Sequence, residues 1–375
     1  MMARRIRPML EHASRNAHDP AMTSANSLEL QRVTGQDSPA APVAGIDLSI
    51  EAGQTLVLLG SARAGKSSLL RLIAGFGILE GGHIVFNGHD LRELAAHKRP
   101  FTLLTEQDAL FPHMTVAKNV AYGLKSRKLG RPERDHRVAS SLEIVGLQNQ
   151  GTVHPHDLNP AERQLAALAR ALAVQPLVLL LDEALNQLDP LHAGRVLGDL
   201  RTLQREVGLT MMMATTASGL AMGMADKLAI LHDGRLIDLD RPDTLYRTPG
   251  SALTARLTGP VNLMPGDILR DHVGPSASKA LAQVREAGAQ WALALRPDHL
   301  EIHLTQPTGP DARLEGHVER LAYSPAGLSV LIRIPGLSET LMARVDSGRL
   351  DADDLPEGRR VWCTWDDKAA HAVPL

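Results

Sequence analysis

A short loop after an apolar segment carries the residue types that bind phosphate. It reads Gly60-Ser61-Ala62-Arg63-Ala64-Gly65-Lys66-Ser67, followed by Ser68, and it fits the spacing GxxxxGK[ST]. Where such a loop follows a strand and opens a helix, backbone N–H groups at the helix start face the phosphates, and the lysine adds positive charge. The hydroxyl of Ser67 can reach a magnesium ion. The pattern therefore predicts a binding site for the phosphates of a nucleotide and its Mg2+.

A second candidate element is a pair of carboxylates at the end of an apolar run, much later in the chain. The run at 177–181 predicts a buried strand, and Asp182 and Glu183 follow it directly. Asp182 is expected to hold Mg2+ together with Ser67, and Glu183 to orient or deprotonate the attacking water. An apolar run that ends in Asp-Glu is common on its own. Its combination with the phosphate loop predicts nucleotide binding from two separate features.

Composition excludes several other classes of function. The chain has 375 residues, 44% of them hydrophobic, and a net charge of -2, so nothing drives it generally towards nucleic acid. A single cysteine, Cys363, excludes an internal disulfide framework. No run approaches the roughly 18 apolar residues that span a bilayer. If the protein works at a membrane, we expect another chain to supply the membrane part.

The elements that must position these residues form an α/β region from 27 to 240, after a polar tail at 1–26 that we expect to be disordered. Met22 is an alternative start to Met1. Alternating strand and helix patterns predict a mostly parallel sheet. Candidate strands lie at 55–59, 83–86, 177–181, 210–214 and 227–231, and candidate helices after Gly65, after Thr115, at 135–145 and at 160–173.

The character of the chain changes after residue 240. A stretch rich in proline and glycine at 241–265 is expected to be a linker. Apolar and polar residues then alternate at 328–334 and again at 361–365, which is typical of short strands. We therefore predict a small all-β barrel or sandwich at 266–375.

Several further segments resemble the ATP-binding subunits of ABC importers, particularly the polyamine, iron and sugar group. Residues 108–116 and 119–124 resemble the segment after that family's Q-loop, and 167–172 resemble the helix that follows its signature sequence. Leu188-Asp189 matches the D-loop. The resemblance covers about 28–240. Residues 295–300 and 316–318 resemble the family's oligomer-binding-fold accessory domain, and 361–366 favour the polyamine or iron subgroup.

The resemblance implies a mechanism and a set of partners. Two such subunits enclose two ATP molecules, and each site combines the phosphate loop of one subunit with the signature sequence of the other. The second subunit is expected to be another copy or a paralogue. A helical subdomain, here about 105–165, transmits closure to permease subunits, and a solute-binding protein acts indirectly. The chain would then lie on the cytoplasmic face of the membrane, attached through the permease.

The sequence departs from the family at several of its motifs. The signature, Leu-Ser-Gly-Gly-Gln in the family, reads Leu158-Asn159-Pro160-Ala161-Glu162. Proline has no N–H to offer phosphate, and Glu162 adds negative charge. Thr216 stands at the switch-histidine position and Glu106 at the Q-loop glutamine, where its carboxylate is an additional candidate Mg2+ ligand.

Two departures lie closer to the nucleotide itself. The aromatic residue that stacks on adenine in the family is missing near Asp37. Such stacking contributes about 0.5–1.5 kcal/mol, so we expect ATP binding to be weakened but not abolished. Arg63 replaces the middle glycine of the phosphate loop, where it either obstructs the phosphates or adds a charged contact.

Two main hypotheses follow. In the first, the chain binds Mg-ATP and hydrolyses it to drive import of a solute, with a polyamine or iron as the favoured cargo. In the second, it is a hydrolysis-impaired regulatory or structural subunit that pairs with a competent paralogue. A third interpretation, another P-loop enzyme such as a small-molecule kinase, leaves the segment at 110–115 and the C-terminal strands unexplained.

Overall fold

The computed structural model of the chain describes residues 26–37, 42–107, 109–127, 129–186, 188, 190–272, 279–307, 314–324, 327–345 and 350–375. Of the N-terminal tail expected at 1–26, residues 1–25, and with them the choice between Met1 and Met22, lie outside the described residues. The chain divides into two compact units, one up to Pro242 and one from Asp243 to Leu375.

The first unit is built on a mostly parallel sheet whose strand order is β10-β9-β3-β8-β7-β6. Only the hairpin of β9 and β10 is antiparallel. Every residue of β3, β7 and β8 is buried, as expected for central strands covered on both faces. The strands are β3 Thr55–Leu59, β6 Phe101–Thr105, β7 Val178–Asp182, β8 Thr210–Thr215, β9 Lys227–His232 and β10 Arg235–Asp240.

A second, antiparallel sheet of this unit has the order β2-β1-β4-β5. Its strands are β1 Leu28–Gln36, β2 Val43–Ile50, β4 Ile78–Phe86 and β5 His89–Asp90. Helix α1, Lys66–Ala74, buries Leu69, Leu70 and Ile73 in one apolar cluster with side chains from both sheets. The helix that opens at the phosphate loop is therefore fixed by packing on its apolar face.

The other helices of the first unit are α2 Val116–Tyr122, α3 Arg131–Ile144, α4 Pro160–Ala173, α5 Pro190–Val207 and α6 Ser218–Met224. Helices α2, α3 and α4 pack against one another within the region predicted as the helical subdomain. Helix α4 has the predicted bounds, and its start is fixed because Asn159 caps it and Pro160 occupies its first position. Within the described residues, no helix is long and apolar enough to cross a bilayer.

The second unit contains two antiparallel sheets, with the orders β11-β12-β18 and β13-β17-β14-β15-β16. An apolar cluster includes side chains from both, among them Leu293, Val330 and Val361. The strands are β11 Asn262–Pro265, β12 Trp291–Leu295, β13 Glu301–His303, β14 Leu314–Ser324, β15 Gly327–Arg333, β16 Leu341–Val345, β17 Arg360–Thr364 and β18 Ala370–Pro374. The β-rich accessory domain is present, with helices α9 Gly266–His272 and α10 Lys279–Ala287 in addition.

The segment 241–265, expected to be a linker, is folded. It forms α7 Pro242–Arg247, α8 Ala252–Thr258 and β11. The guanidinium of Arg296 binds it by donating to the backbone oxygens of Tyr246, Ala255 and Gly259 at 2.8–3.1 Å. Pro242 is the first residue of α7, so proline marks a helix start here rather than a flexible chain.

Candidate nucleotide-binding site

The predicted site residues meet at one edge of the parallel sheet. In the strand register, Leu59 of β3 lies beside Thr215 of β8, and Asp182 of β7 lies between Ala214 and Thr105. The loops that leave β3, β6, β7 and β8 therefore start at the same edge. Ligands of open α/β sheets bind at the carboxyl ends of the strands, where these loops lie. Glu106 and Thr216 both begin such loops, and both are exposed.

The phosphate loop wraps around the side chain of Lys66. This side chain is only 3% exposed, and its Nζ donates to the backbone oxygens of Gly60 at 3.0 Å and Ser61 at 2.9 Å. Gly65 has φ +94°, a conformation that suits glycine, and a Cβ at Gly60 would collide with the backbone oxygen of Leu231. Both glycines are thus required by the path of the loop.

The start of α1 offers backbone donors beside this lysine. Leu69 donates the first helical hydrogen bond, to the oxygen of Gly65 at 2.9 Å. The N–H groups of the three preceding residues belong to the first turn and have no intrahelical acceptor. Together with the helix dipole, they make this helix start suitable for phosphate oxygens.

Ser67 and Asp182 form a pair that suits a magnesium ion. The Ser67 hydroxyl donates to Asp182 Oδ1 at 2.6 Å, across the gap between α1 and the end of β7. Burial raises the pKa of the Asp182 carboxyl, although the hydrogen bond from Ser67 opposes this. A hard cation would compensate such a buried carboxylate, and oxygen ligands are those that Mg2+ prefers. Among the described residues, no group of three or more His, Cys, Asp or Glu side chains forms a metal cluster.

Glu183 lies between the lysine and the turn after β7. Its Oε1 is 3.5 Å from Lys66 Nζ, and its Oε2 accepts a hydrogen bond from Asn186 Nδ2 at 3.0 Å. Its backbone has φ +53°, and its N–H donates to the oxygen of Ala214 at 3.0 Å. Burial lowers the pKa of the Lys66 ammonium, and the Glu183 carboxylate opposes this shift. The arrangement places a carboxylate directly beside the phosphate-binding cation.

The remaining loop residues have different environments. Ala64 is buried, whereas Ser61, Ala62 and Arg63 are exposed. Arg63 has φ +69°, so a residue with a side chain occupies a left-handed conformation that normally favours glycine. Its exposed position leaves the guanidinium at the rim of the loop.

Asp37, where the adenine-stacking aromatic is missing, binds α1 instead. Its carboxylate accepts from Ser68 Oγ at 2.5 Å and from Arg71 at 2.7 Å. Burial raises the pKa of Asp37, but these hydrogen bonds outweigh burial and hold it below its usual value. Ser68 therefore fixes the phosphate helix to the end of β1, and its hydroxyl is engaged there.

The altered signature sequence caps its own helix. Asn159 Oδ1 accepts from the N–H of Glu162 at 2.8 Å, and the Glu162 carboxylate accepts from the N–H of Asn159 at 2.9 Å. Pro160 contributes no N–H. Side chains thus engage the backbone N–H groups of Asn159 and Glu162 at the start of α4. Because Pro160 has none, the N–H of Ala161 is the one first-turn donor that lies outside this capping box. Few donors remain there for an opposing phosphate.

Sequence reasoning missed three polar residues around this edge. Gln164, on α4, donates to the backbone oxygen of Thr105 at 2.9 Å, next to Glu106. Asn186 contacts Glu183, and Thr215 contacts Asn186. The available signal was weak, namely that polar residues at the carboxyl ends of parallel strands lie at the site. The D-loop residue Asp189 lies outside the described residues.

Comparison with known proteins identifies both units. A family model described as ABC transporter matches residues 43–186, and one described as TOBE domain matches 293–373. The spermidine/putrescine import ATP-binding protein PotA of Hahella chejuensis is 33% identical over 362 residues, which cover 94% of this chain and 99% of that protein. PotA 2 of Pseudomonas aeruginosa is also 33% identical, over 92% of this chain and 98% of its own length.

Solved structures share the fold of the first unit. The dimeric ATP-binding cassette MJ0796, bound to ADP and Pi, covers 57% of this chain with a TM-score of 0.53 and 22% identity. That likeness concerns the fold alone, and it confirms the predicted α/β cassette. The resemblance proposed from the motifs is also confirmed by the two family matches and by the full-length relatives. The chain belongs to the ABC transporter family and is an ATP-binding subunit, an ATPase, with a C-terminal TOBE domain.

Proposed function

We propose that the chain binds Mg-ATP on the loop 60–68 and couples its hydrolysis to the import of a polyamine. The observation that carries this proposal is the grouping of Lys66, Ser67, Asp182 and Glu183 at one edge of the sheet. Ser67 and Asp182 would hold Mg2+, which supplies positive charge against the phosphates when bound. Glu106 is an additional candidate ligand, because it directly follows the strand beside Asp182.

The roles of the protein groups follow from their contacts. Lys66 donates to two loop oxygens and pairs with Glu183. When a phosphate binds, Lys66 replaces these partners with phosphate oxygens. The N–H groups at the start of α1 bind the same phosphates. Glu183 then orients the attacking water and accepts its proton. These contributions are positioning and electrostatic stabilisation, which dominate catalysis of phosphoryl transfer.

Partners and cargo are proposed from the relatives. Two of them are named as spermidine/putrescine import proteins and match this chain over almost their whole length. We propose the same cargo here, a permease that carries the chain at the cytoplasmic face of the membrane, and a solute-binding protein. A groove of about 840 Å3 beside α2 and α3, lined by Met114, Ala117 and Val138, offers the permease a docking surface.

Polyamine import has a direct test. In proteoliposomes containing the chain with its permease, spermidine-loaded binding protein should raise the ATPase rate severalfold and drive uptake of labelled spermidine. When the permease binds the loaded binding protein, we expect the two ATP-binding subunits to come together. This is the physical reason for the increase in the ATPase rate. The matched control is the same complex with iron-loaded or sugar-loaded binding protein. Stimulation by either of these, with none by spermidine, would exclude the polyamine assignment.

The second candidate function is a hydrolysis-impaired subunit paired with a competent paralogue. The specific observation in its favour is the capping box at Asn159 and Glu162, which uses the backbone donors of the signature helix. A homodimer would carry this altered half-site twice, whereas a paralogue with an intact signature would complete the site on the loop of this chain. Co-purification from the native cell distinguishes the two arrangements, and self-association alone would exclude the paralogue.

Restoring the family motifs should raise the ATPase rate if this second function holds. The variant combines Asn159→Ser, Pro160→Gly, Ala161→Gly, Glu162→Gln and Thr216→His. We expect an increase of about tenfold or more, because preorganised donors to a developing phosphoryl charge contribute strongly to rate. The measurement is the steady-state ATPase rate of the assembled complex.

The control for this restoration is Pro242→Gly, which removes a proline from the first position of α7 instead. It should leave the rate unchanged. An unchanged rate in the restored variant, with normal ATP binding, would mean that the altered signature does not limit hydrolysis. The first function would then stand without the impairment.

A further inference from the structure

A series of hydrogen bonds holds one oxygen of the Glu183 carboxylate, Oε2. Asn186 Nδ2 donates to Glu183 Oε2 at 3.0 Å. Thr215 Oγ donates to Asn186 Oδ1 at 2.8 Å, and the backbone N–H of Ala217 donates to Thr215 Oγ at 3.0 Å. These hydrogen bonds thus connect β8, through the turn after β7, to the Glu183 carboxylate.

The carboxylate of Glu183 fixes the direction of these hydrogen bonds. The Glu183 carboxylate can only accept hydrogen bonds, whereas Thr215 Oγ can accept the N–H of Ala217 and still donate its single hydrogen. The amide oxygen of Asn186 must therefore face Thr215, and its NH2 group must face Glu183. A flipped amide would set oxygen against carboxylate at one end and leave two acceptors unmatched.

The β8 end of this series of hydrogen bonds is rigid. Thr215 is the last residue of β8 and is 1% exposed, and β8 is hydrogen-bonded between β3 and β7. Glu183 is 25% exposed and has φ +53°, so its own backbone alone is a strained support. With Oε2 held by Asn186, Oε1 is the oxygen that faces Lys66 and the phosphate loop.

We infer that Asn186 and Thr215 are positioning residues for ATP hydrolysis: they fix Glu183 so that one defined oxygen faces the water beside the bound phosphate. This inference rests on the proposed role of Glu183. It extends that role to the strand whose next residue, Thr216, occupies the switch position of the family. A shift of Thr216 would then alter the orientation of Glu183 through Thr215 and Asn186.

The test compares two substitutions at one buried position. Thr215→Val keeps the shape of the side chain and removes the hydroxyl, whereas Thr215→Ser keeps the hydroxyl. In the assembled transporter, Thr215→Val should lower kcat by about tenfold, since small displacements of a reacting group cost this much or more. The dissociation constant for Mg-ATP should stay unchanged, and Thr215→Ser should retain most of kcat. Equal kcat values for the valine and serine variants would overturn the inference.

A second background separates this inference from the proposed role of Glu183. On Glu183→Gln, the further change Thr215→Val should cause no additional loss of kcat, because the group being positioned is already inactive. If Glu183→Gln alone keeps the full kcat, the role of Glu183 fails. If Glu183→Gln is inactive while Thr215→Val is fully active, only the positioning inference fails. Should Thr215→Val unfold, Asn186→Ala gives the same readouts, and full kcat in that variant overturns the inference equally.

Discussion

Lys66→Ala is expected to weaken Mg-ATP binding by at least about 100-fold. The ammonium lies inside the loop, 3% exposed, where water competes little for it. Hydrogen bonds between charged partners contribute about 1.5–3 kcal/mol each, and 100-fold in affinity is about 2.7 kcal/mol. Equilibrium dialysis of labelled ATP in the presence of Mg2+ measures the change directly. The ATPase rate of the assembled transporter should fall with it.

A matched control separates charge at the site from charge in general. Lys98→Ala removes an exposed lysine of the same unit, so it changes net charge equally and should leave ATP affinity unchanged. Lys66→Met keeps most of the apolar stem and should lose affinity like the alanine variant. If folded Lys66→Ala protein binds Mg-ATP as tightly as the unmodified chain, the loop 60–68 is not the phosphate site.

The phosphate loop was readable from sequence because its geometry is local. Consecutive residues determine the turn, and the spacing from Gly60 to Ser67 sets the helix start at Lys66. The same holds for α4, whose capping box lies within four neighbouring residues, Asn159 to Glu162. Local features of this kind need no knowledge of which strands pair.

Features that depend on pairing between distant segments were not predictable in the same way. Asn186 meets Thr215 only because β7 and β8 are neighbours in the sheet. Strand β6 was missed because Phe101–Thr105 is a short run without clear alternation, and its parallel pairing with β7 decides its conformation. The contact of Asp37 with Arg71 likewise joins elements that the sequence does not connect.

The segment 241–265 shows how composition misleads. Proline and glycine suggested a flexible connection, but Ser251 caps α8 by accepting from the N–H of Thr254 at 3.1 Å. A buried arginine from β12's end, Arg296, then binds the segment through backbone oxygens. Proline at a helix start and glycine after a helix end are ordinary boundaries of folded elements. That buried arginine is fifty residues from Tyr246, beyond any local pattern.

Glu183→Gln is expected to lower kcat by at least about 100-fold while leaving Mg-ATP bound as tightly as before, or more tightly. The amide has the shape of the carboxylate but cannot accept the proton of the attacking water, and general bases contribute about 10²–10⁴-fold. The substitution also removes the ion pair of Glu183 with Lys66, whose atoms are 3.5 Å apart. Lys66 is then released for phosphate, which favours binding. Single-turnover hydrolysis and equilibrium dialysis measure the two effects separately.

The fall in kcat without a loss of ATP affinity makes the role of Glu183 as the general base testable. Replacing a residue that binds phosphate, such as Lys66, or one that only supports the loop should lower ATP affinity and kcat together. A base that pairs with the phosphate-binding cation should lose kcat and keep or gain affinity. Glu93→Gln, an exposed change elsewhere in the same unit, should alter neither quantity. Full kcat in Glu183→Gln would assign proton transfer to another group, whereas parallel losses of kcat and affinity would make Glu183 a structural support of the loop.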